Sequence, residues 1–249
     1  MSATAGIGII CKTPRTGASK TRLHGVLSPE ASAALAGSFL TDVAALIEAV
    51  PQHVGRRGYA IYAPEGSEAE LKAFVPPSFD LVCRRDATLG VVLLGATEDL
   101  LGRGHDCVLL VNADSPTLPS LLLEQAISAL RAGGDRVVLG PATDGGYYLI
   151  GLKRPHARLF ADIAWSTASV LTETIERAGE IGLPVELLRT WYDVDDAATL
   201  AQLLDELQSG RAPAGCGDIA GGPAAATRQH LSKQPELAAR VRRALAAKR

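Results

Sequence analysis

Cysteine is scarce: four residues in 249, Cys11, Cys83, Cys107 and Cys216, far apart and with no Cys-x-x-Cys pair. That spacing argues against a disulfide framework or a thiolate metal site, and three of the four sit in apolar runs, where they read as small core residues. None of the five histidines (His24, His53, His105, His156, His230) falls at a metal-ligand spacing, and there is no Gly-x-Ser-x-Gly elbow. Hydrolase triads and zinc sites find no support. Walker and Gly-x-Gly-x-x-Gly patterns are missing as well. No apolar run in the sequence approaches the roughly 18 residues of a membrane span, and the first residues carry no basic region. The expectation is a soluble, cytoplasmic protein with no membrane partner.

What is present is ordinary globular composition, 47% hydrophobic and 21% charged, enough to bury a substantial core. The formal net charge of −2 hides an asymmetry. From Pro223 to Arg249 seven Lys/Arg face one acid, Glu236, a net +6, so the first 222 residues carry −8. With no interleaved aromatics, that basic segment is expected to dock on the acidic body, or on a second copy in a homodimer, rather than on nucleic acid.

Short apolar runs at 6–11, 58–63, 81–83, 107–111, 136–139, 147–152 and 185–188 have strand character, and helical patterns lie between them. The clearest helix follows Ser28 and Pro29, with Leu35, Phe39, Val43, Leu46, Ile47 and Val50 at helical spacing. Others are expected near 66–74, 90–102, from Pro119 to about Leu130, after the caps Ser166 and Thr167, and from about Asp196 to Gln208. This alternation predicts an α/β fold with a mostly parallel sheet covered on both faces. The predicted organisation is one domain over 1–208, a Gly/Ala/Pro-rich linker over 209–226, and a basic C-terminal helix within 227–249.

In such sheets ligands bind beyond the carboxyl ends of the strands, which directs attention to four loops. The first contains Lys12, Arg15, Gly17, Lys20 and Arg22, basic and loose enough to wrap polyphosphate, although a solvated basic loop would look the same. The second, Asn112-Ala113-Asp114-Ser115-Pro116, offers a hard carboxylate suited to magnesium, or else an Asx-turn or helix cap. The third, Asp144-Gly145-Gly146-Tyr147, permits close backbone approach to a ligand, or is simply a hairpin turn. The fourth carries Asp193, Asp195 and Asp196; Asp196 suits a helix N-cap, leaving Asp193 or Asp195 as a second metal carboxylate.

Taken together, Lys20-Thr-Arg-Leu23, Asp114-Ser-Pro-Thr-Leu118, Gly140-Pro-Ala-Thr-Asp-Gly-Gly-Tyr-Tyr-Leu-Ile-Gly-Leu152, Trp165-Ser-Thr167 and Asp193-Val-Asp195 resemble one pattern. It is that of the glycosyltransferase-like, radical-SAM-associated family in the nucleotide-diphospho-sugar transferase superfamily, with its Rossmann-like GT-A fold. The arrangement is also similar to nucleotidyltransferases such as 2-phospholactate guanylyltransferase. The resemblance implies that Lys20 and Arg22 bind polyphosphate, that Asp114 and Asp195 hold Mg2+ or Mn2+, and that Asp144, Gly145, Gly146 and Tyr147 line an acceptor pocket. Lys20, Arg22 and Asp114 would then carry catalysis. The chain departs from the pattern at Leu89-Gly90-Val91-Val92-Leu93, where an Arg is expected soon after Leu-Gly. The implied reaction is transfer from a nucleotide donor to a small-molecule acceptor: glycosyl transfer first, nucleotidyl transfer second, with nucleotide binding without turnover as a further alternative.

Overall fold

The computed structural model describes residues 3–85 and 88–247. Seven strands form one sheet: β1 (Ala5–Lys12), β2 (Arg56–Ala63), β3 (Asp80–Cys83), β4 (Cys107–Asn112), β5 (Val137–Pro141), β6 (Tyr147–Leu152) and β7 (Val185–Leu187). Their order is β3-β2-β1-β4-β6-β5-β7, and β6 alone runs antiparallel to its neighbours. The helices are α1 (Pro29–Ala49), α2 (Glu68–Leu71), α3 (Leu89–Gly102), α4 (Ser120–Arg131), α5 (Val170–Glu180), α6 (Ala197–Ser209), α7 (Ala225–Ser232) and α8 (Leu237–Ala246).

The two sheet faces follow from period-2 alternation. Ile7, Ile9, Leu109 and Val111 join the helices α1, α4, α6, α7 and α8 in the larger core; Ile61, Val108, Leu110 and Ile150 join α3 and α5 in the smaller one. The α/β, mostly parallel sheet covered on both faces is the architecture expected. Ser28 accepts from the Ala31 amide with Pro29 at the first helical position, so α1 starts where its sequence says it should. Asp196 caps α6 through Ala198 and Thr199, with the Thr199 hydroxyl closing the box.

Five expectations are corrected. The span of α1 is long and apolar enough to cross a membrane, but most of it is buried inside the domain, with Leu35, Phe39, Val43 and Ile47 in the larger core, so it is a core helix. α2 is one turn rather than a helix over 66–74, because Pro76 and Pro77 follow. α5 begins at Val170, and neither Ser166 nor Thr167 caps it; the Glu173 carboxylate reaches back to the Ser169 hydroxyl and the Ala164 amide instead. The 210–224 stretch has no regular structure but is packed down, with Cys216 fully buried and the Gly222 amide bonded to the Thr117 carbonyl at 2.7 Å. Finally, the basic tail is two helices, since Pro235 interrupts it; residues 248–249 lie outside the described residues.

The tail docks on the body. Asp42 of α1, almost fully buried, accepts from the Ala226 and Thr227 amides at 2.9 and 2.8 Å, satisfying two free N–H groups at the start of α7. Leu231, Leu237 and Val241 complete the larger core.

Candidate active site at the carboxyl ends of β1 and β4

Between β1 and β4 the strand order reverses, so the loops leaving these two strands diverge around a crevice. Into it the β1 loop delivers Lys20, held with φ +49 just before a 3-10 turn at Thr21–Leu23. That left-handed conformation is rare outside glycine. The Lys20 side chain is only 7% exposed, and its Nζ lies 5.6 Å from the Phe39 ring centroid. Nζ donates to Asp114 Oδ1 at 2.6 Å and to Asp195 Oδ1 at 2.8 Å. Desolvation opposes the Lys20 charge, but the two carboxylates outweigh it and raise its pKa. Arg22, mostly exposed, stands 4.0 Å from the other Asp195 oxygen.

The carboxylates are held from behind by backbone. The Val194 amide donates to the Asp114 carbonyl at 3.0 Å, and Trp191 pairs with Pro141 and Thr143, extending the β5–β7 ladder toward the site. Asp114 does not cap α4, whose N-cap is Pro119; its carboxylate goes to Lys20. Cys11 lies beneath it, and burial together with Asp114 pushes the thiol up to about 12, which keeps it neutral and unreactive.

Asp193 is the residue sequence reasoning underrated. It is half-buried, and its carboxyl is pushed up to about 7, first by desolvation and then by Asp144, Asp195 and Asp114. Asp144, Asp195 and Asp114 all act on Asp193, so acids outnumber the two bases, Lys20 and Arg22, at this edge of the sheet. Asp114 Oδ1 and Asp195 Oδ1 converge on a single cationic atom. Among the described residues no third His, Cys, Asp or Glu completes a metal cage. Two hard oxygens facing an open crevice fit Mg2+ or Mn2+, which take their remaining ligands from phosphates and water.

The other expected residues divide. Lys12 is exposed at the end of β1. Arg15 is turned aside into a two-pronged pair with Glu70 at 2.9 and 2.8 Å. Gly17, with φ +78, sits in an open turn. Asp144 accepts from the Gly146 amide in an Asx-turn and also faces Asp193. Gly145, at φ +93, must be glycine: a Cβ there would lie 2.2 Å from the Ala168 carbonyl oxygen. The ring of Tyr147 packs into the smaller core, and its buried hydroxyl is further raised in pKa by desolvation, so that hydroxyl does not line a pocket.

A family described as "Uncharacterized protein conserved in bacteria (DUF2064)" matches residues 46–167. A 2-phospho-L-lactate guanylyltransferase from Natrialba magadii is 31% identical over 195 residues, covering 74% of this chain and 78% of that protein. A crystal structure from Desulfovibrio desulfuricans G20, provisionally described as a nucleotide-diphospho-sugar transferase, is 25% identical with a TM-score of 0.80, covering 95% and 97% of the two chains. A cytidylyltransferase from Leptospira borgpetersenii shares the fold alone, at 10% identity and a TM-score of 0.53 over 95% of this chain and 97% of the other. The chain belongs to the same family as the N. magadii protein, within the nucleotide-diphospho-sugar transferase superfamily, and is a transferase with a GT-A-like fold.

Proposed function

We propose that the protein is a metal-dependent nucleotidyltransferase that joins a nucleoside triphosphate to a small phosphorylated acceptor. The observation that carries this reading is the convergence of Asp114 and Asp195 on the Lys20 ammonium at 2.6 and 2.8 Å. A triphosphate brings several negative charges into a crevice that already holds four carboxylates. It can bind only if cations lie between. Bound Mg2+ or Mn2+ on Asp114 and Asp195 would supply Lewis-acid polarisation and charge neutralisation. The 31% identity to a guanylyltransferase supports this over the glycosyl transfer that the family resemblance implies first.

The chain's own groups position and neutralise; no protein nucleophile is required. An acceptor phosphate oxygen attacks the α-phosphorus and a new P–O bond forms. The α–β bridging P–O bond breaks, and pyrophosphate leaves with the electron pair. Lys20 and Arg22 offset the charge gathering on the departing oxygens. Glycosyl transfer from a nucleotide sugar is the second reading, favoured by the 25% identical structure from D. desulfuricans.

Incubation with α-labelled nucleoside triphosphates and a set of phosphorylated hydroxyacids separates the two. Pyrophosphate release with label transferred to the acceptor is the expected result. Release of nucleoside diphosphate from nucleotide sugars, with no pyrophosphate from triphosphates, would overturn it.

A further inference from the structure

The two carboxylate turns are tied together on their buried side by a polar cluster in which Thr117, within the family-matched residues 46–167, meets Tyr192 and Glu206 from beyond them. Tyr192, next to Asp193, is fully buried; its hydroxyl donates to Glu206 Oε2 of α6 and accepts from the Thr117 hydroxyl at 3.3 Å. Thr117 lies three residues beyond Asp114. One phenol therefore bridges the Asp114 turn, the Asp193–Asp195 turn and the helix α6.

Over this cluster runs the 210–224 strap. The Gly222 amide donates to the Thr117 carbonyl at 2.7 Å. A Cβ on Gly221 would stand 2.0 Å from Glu206 Oε1 and 3.2 Å from the Thr117 carbonyl oxygen, so a side chain here must push the strap outward or displace the Glu206 carboxylate. Glu206 Oε1 has no hydrogen-bond partner among the described residues and is sealed from solvent by that backbone. An unpaired buried carboxyl oxygen is costly and is retained only where the surroundings hold it. Beyond the strap, α7 is pinned to Asp42, so the tail clamps it from the far side.

We infer that Tyr192, Glu206 and Gly221 are positioning residues: with the C-terminal strap they form a back wall that fixes the Asp114 and Asp195 turns at the separation their shared cation needs. The functional part of this inference rests on the metal-site reading above; the mechanical part does not. Groups behind a metal ligand typically tune affinity by roughly 10–100-fold.

The test is hydrogen–deuterium exchange of the full-length protein, read by mass spectrometry, beside Mn2+ titration by electron paramagnetic resonance. Tyr192→Phe removes the bridging hydroxyl and keeps the ring; Gly221→Ala lifts the strap. Both should speed exchange at least about tenfold within 112–118 and 191–196, leave β2 and α3 unchanged, and weaken Mn2+ binding about tenfold. Thr97→Val, which deletes a buried hydroxyl bond to Leu93 in α3, should move neither readout. Wild-type exchange in both segments for both variants, or acceleration spread evenly over the chain, would overturn the inference. Wild-type protein that binds no Mn2+ would overturn the metal reading, and the exchange result would still decide the strap.

Discussion

Lys20→Met should push metal affinity and turnover in opposite directions. In the free protein Lys20 Nζ sits 2.6 and 2.8 Å from the two oxygens that a divalent cation would bind, so the lysine and the metal contend for one place. Each charge-assisted bond of this kind contributes about 1.5–3 kcal/mol. Asp114 and Asp195 are 39% and 42% exposed, and solvent screening favours the low end of that range. A metal arriving without nucleotide must cost the lysine about one such bond. Removing the lysine should then tighten Mn2+ binding to the nucleotide-free protein by about tenfold, since roughly 1.4 kcal/mol is a factor of ten. Turnover should fall by about 10²–10³, because the cation that offsets leaving-group charge is gone.

Electron paramagnetic resonance of free Mn2+ reads the first effect and pyrophosphate release the second. The metal-free variant should also melt lower than wild type, with two carboxylates facing each other, and Mn2+ should restore it. A Lys20→Met protein that binds Mn2+ as wild type does, or more weakly, would refute the reasoning: Lys20 would then stand beside the metal position rather than on it.

Asp114→Asn should cut metal-dependent turnover by about two orders of magnitude at saturating Mg2+ and lower the melting temperature by only a few degrees, because it weakens one charge-assisted bond to Lys20 but removes no helix cap. In chelator, Asp193→Asn should stabilise the protein. The folded carboxyl is raised to about 7 from 3.8, so ionising it opposes folding. The gain should be absent below about pH 4, grow through pH 7 and reach about 2 kcal/mol above it, after discounting for partial exposure; denaturant titration at pH 4 and pH 8 measures it. Nucleoside triphosphate should raise the melting temperature only with Mg2+ or Mn2+ present, and an equal shift in chelator would count against the metal site.

The fold was legible wherever local chemistry decides. Ser28-Pro29 and Asp196 with Thr199 three residues on are start signals whose partners lie within one turn, and each helix begins there. The strands were legible because apolar runs bounded by turn residues have few alternatives. The tail was not. Its first helix is capped by Asp42, some 184 residues earlier in the chain, and a Gly/Ala/Pro stretch that lies flat on a packed surface has no period to distinguish it from a free linker.

The site was legible in its position and not in its detail, for the same reason. Strand alternation places the basic loop and the Asp114 loop at one sheet edge, and the switch point marks the crevice. Nothing local says which way a loop side chain turns. Arg15 and Lys20 look equivalent in a basic loop, yet a glutamate 55 residues away takes the first and an aspartate 175 residues away takes the second. Tyr147 and Tyr148 sit in a strand buried on both faces, so the run Tyr-Tyr-Leu-Ile-Gly-Leu has no polar alternation to show that the Tyr147 hydroxyl points into the smaller core. Of the three acids before α6, Asp196 declares itself by its cap, whereas Asp195 and Asp193 are separated only by distant charge: Lys20 pairs with the first, and burial with three neighbouring carboxylates raises the second. A candidate site assembled from loops this far apart in sequence is therefore announced by the types of its residues, while their surroundings are set by the fold that brings them together.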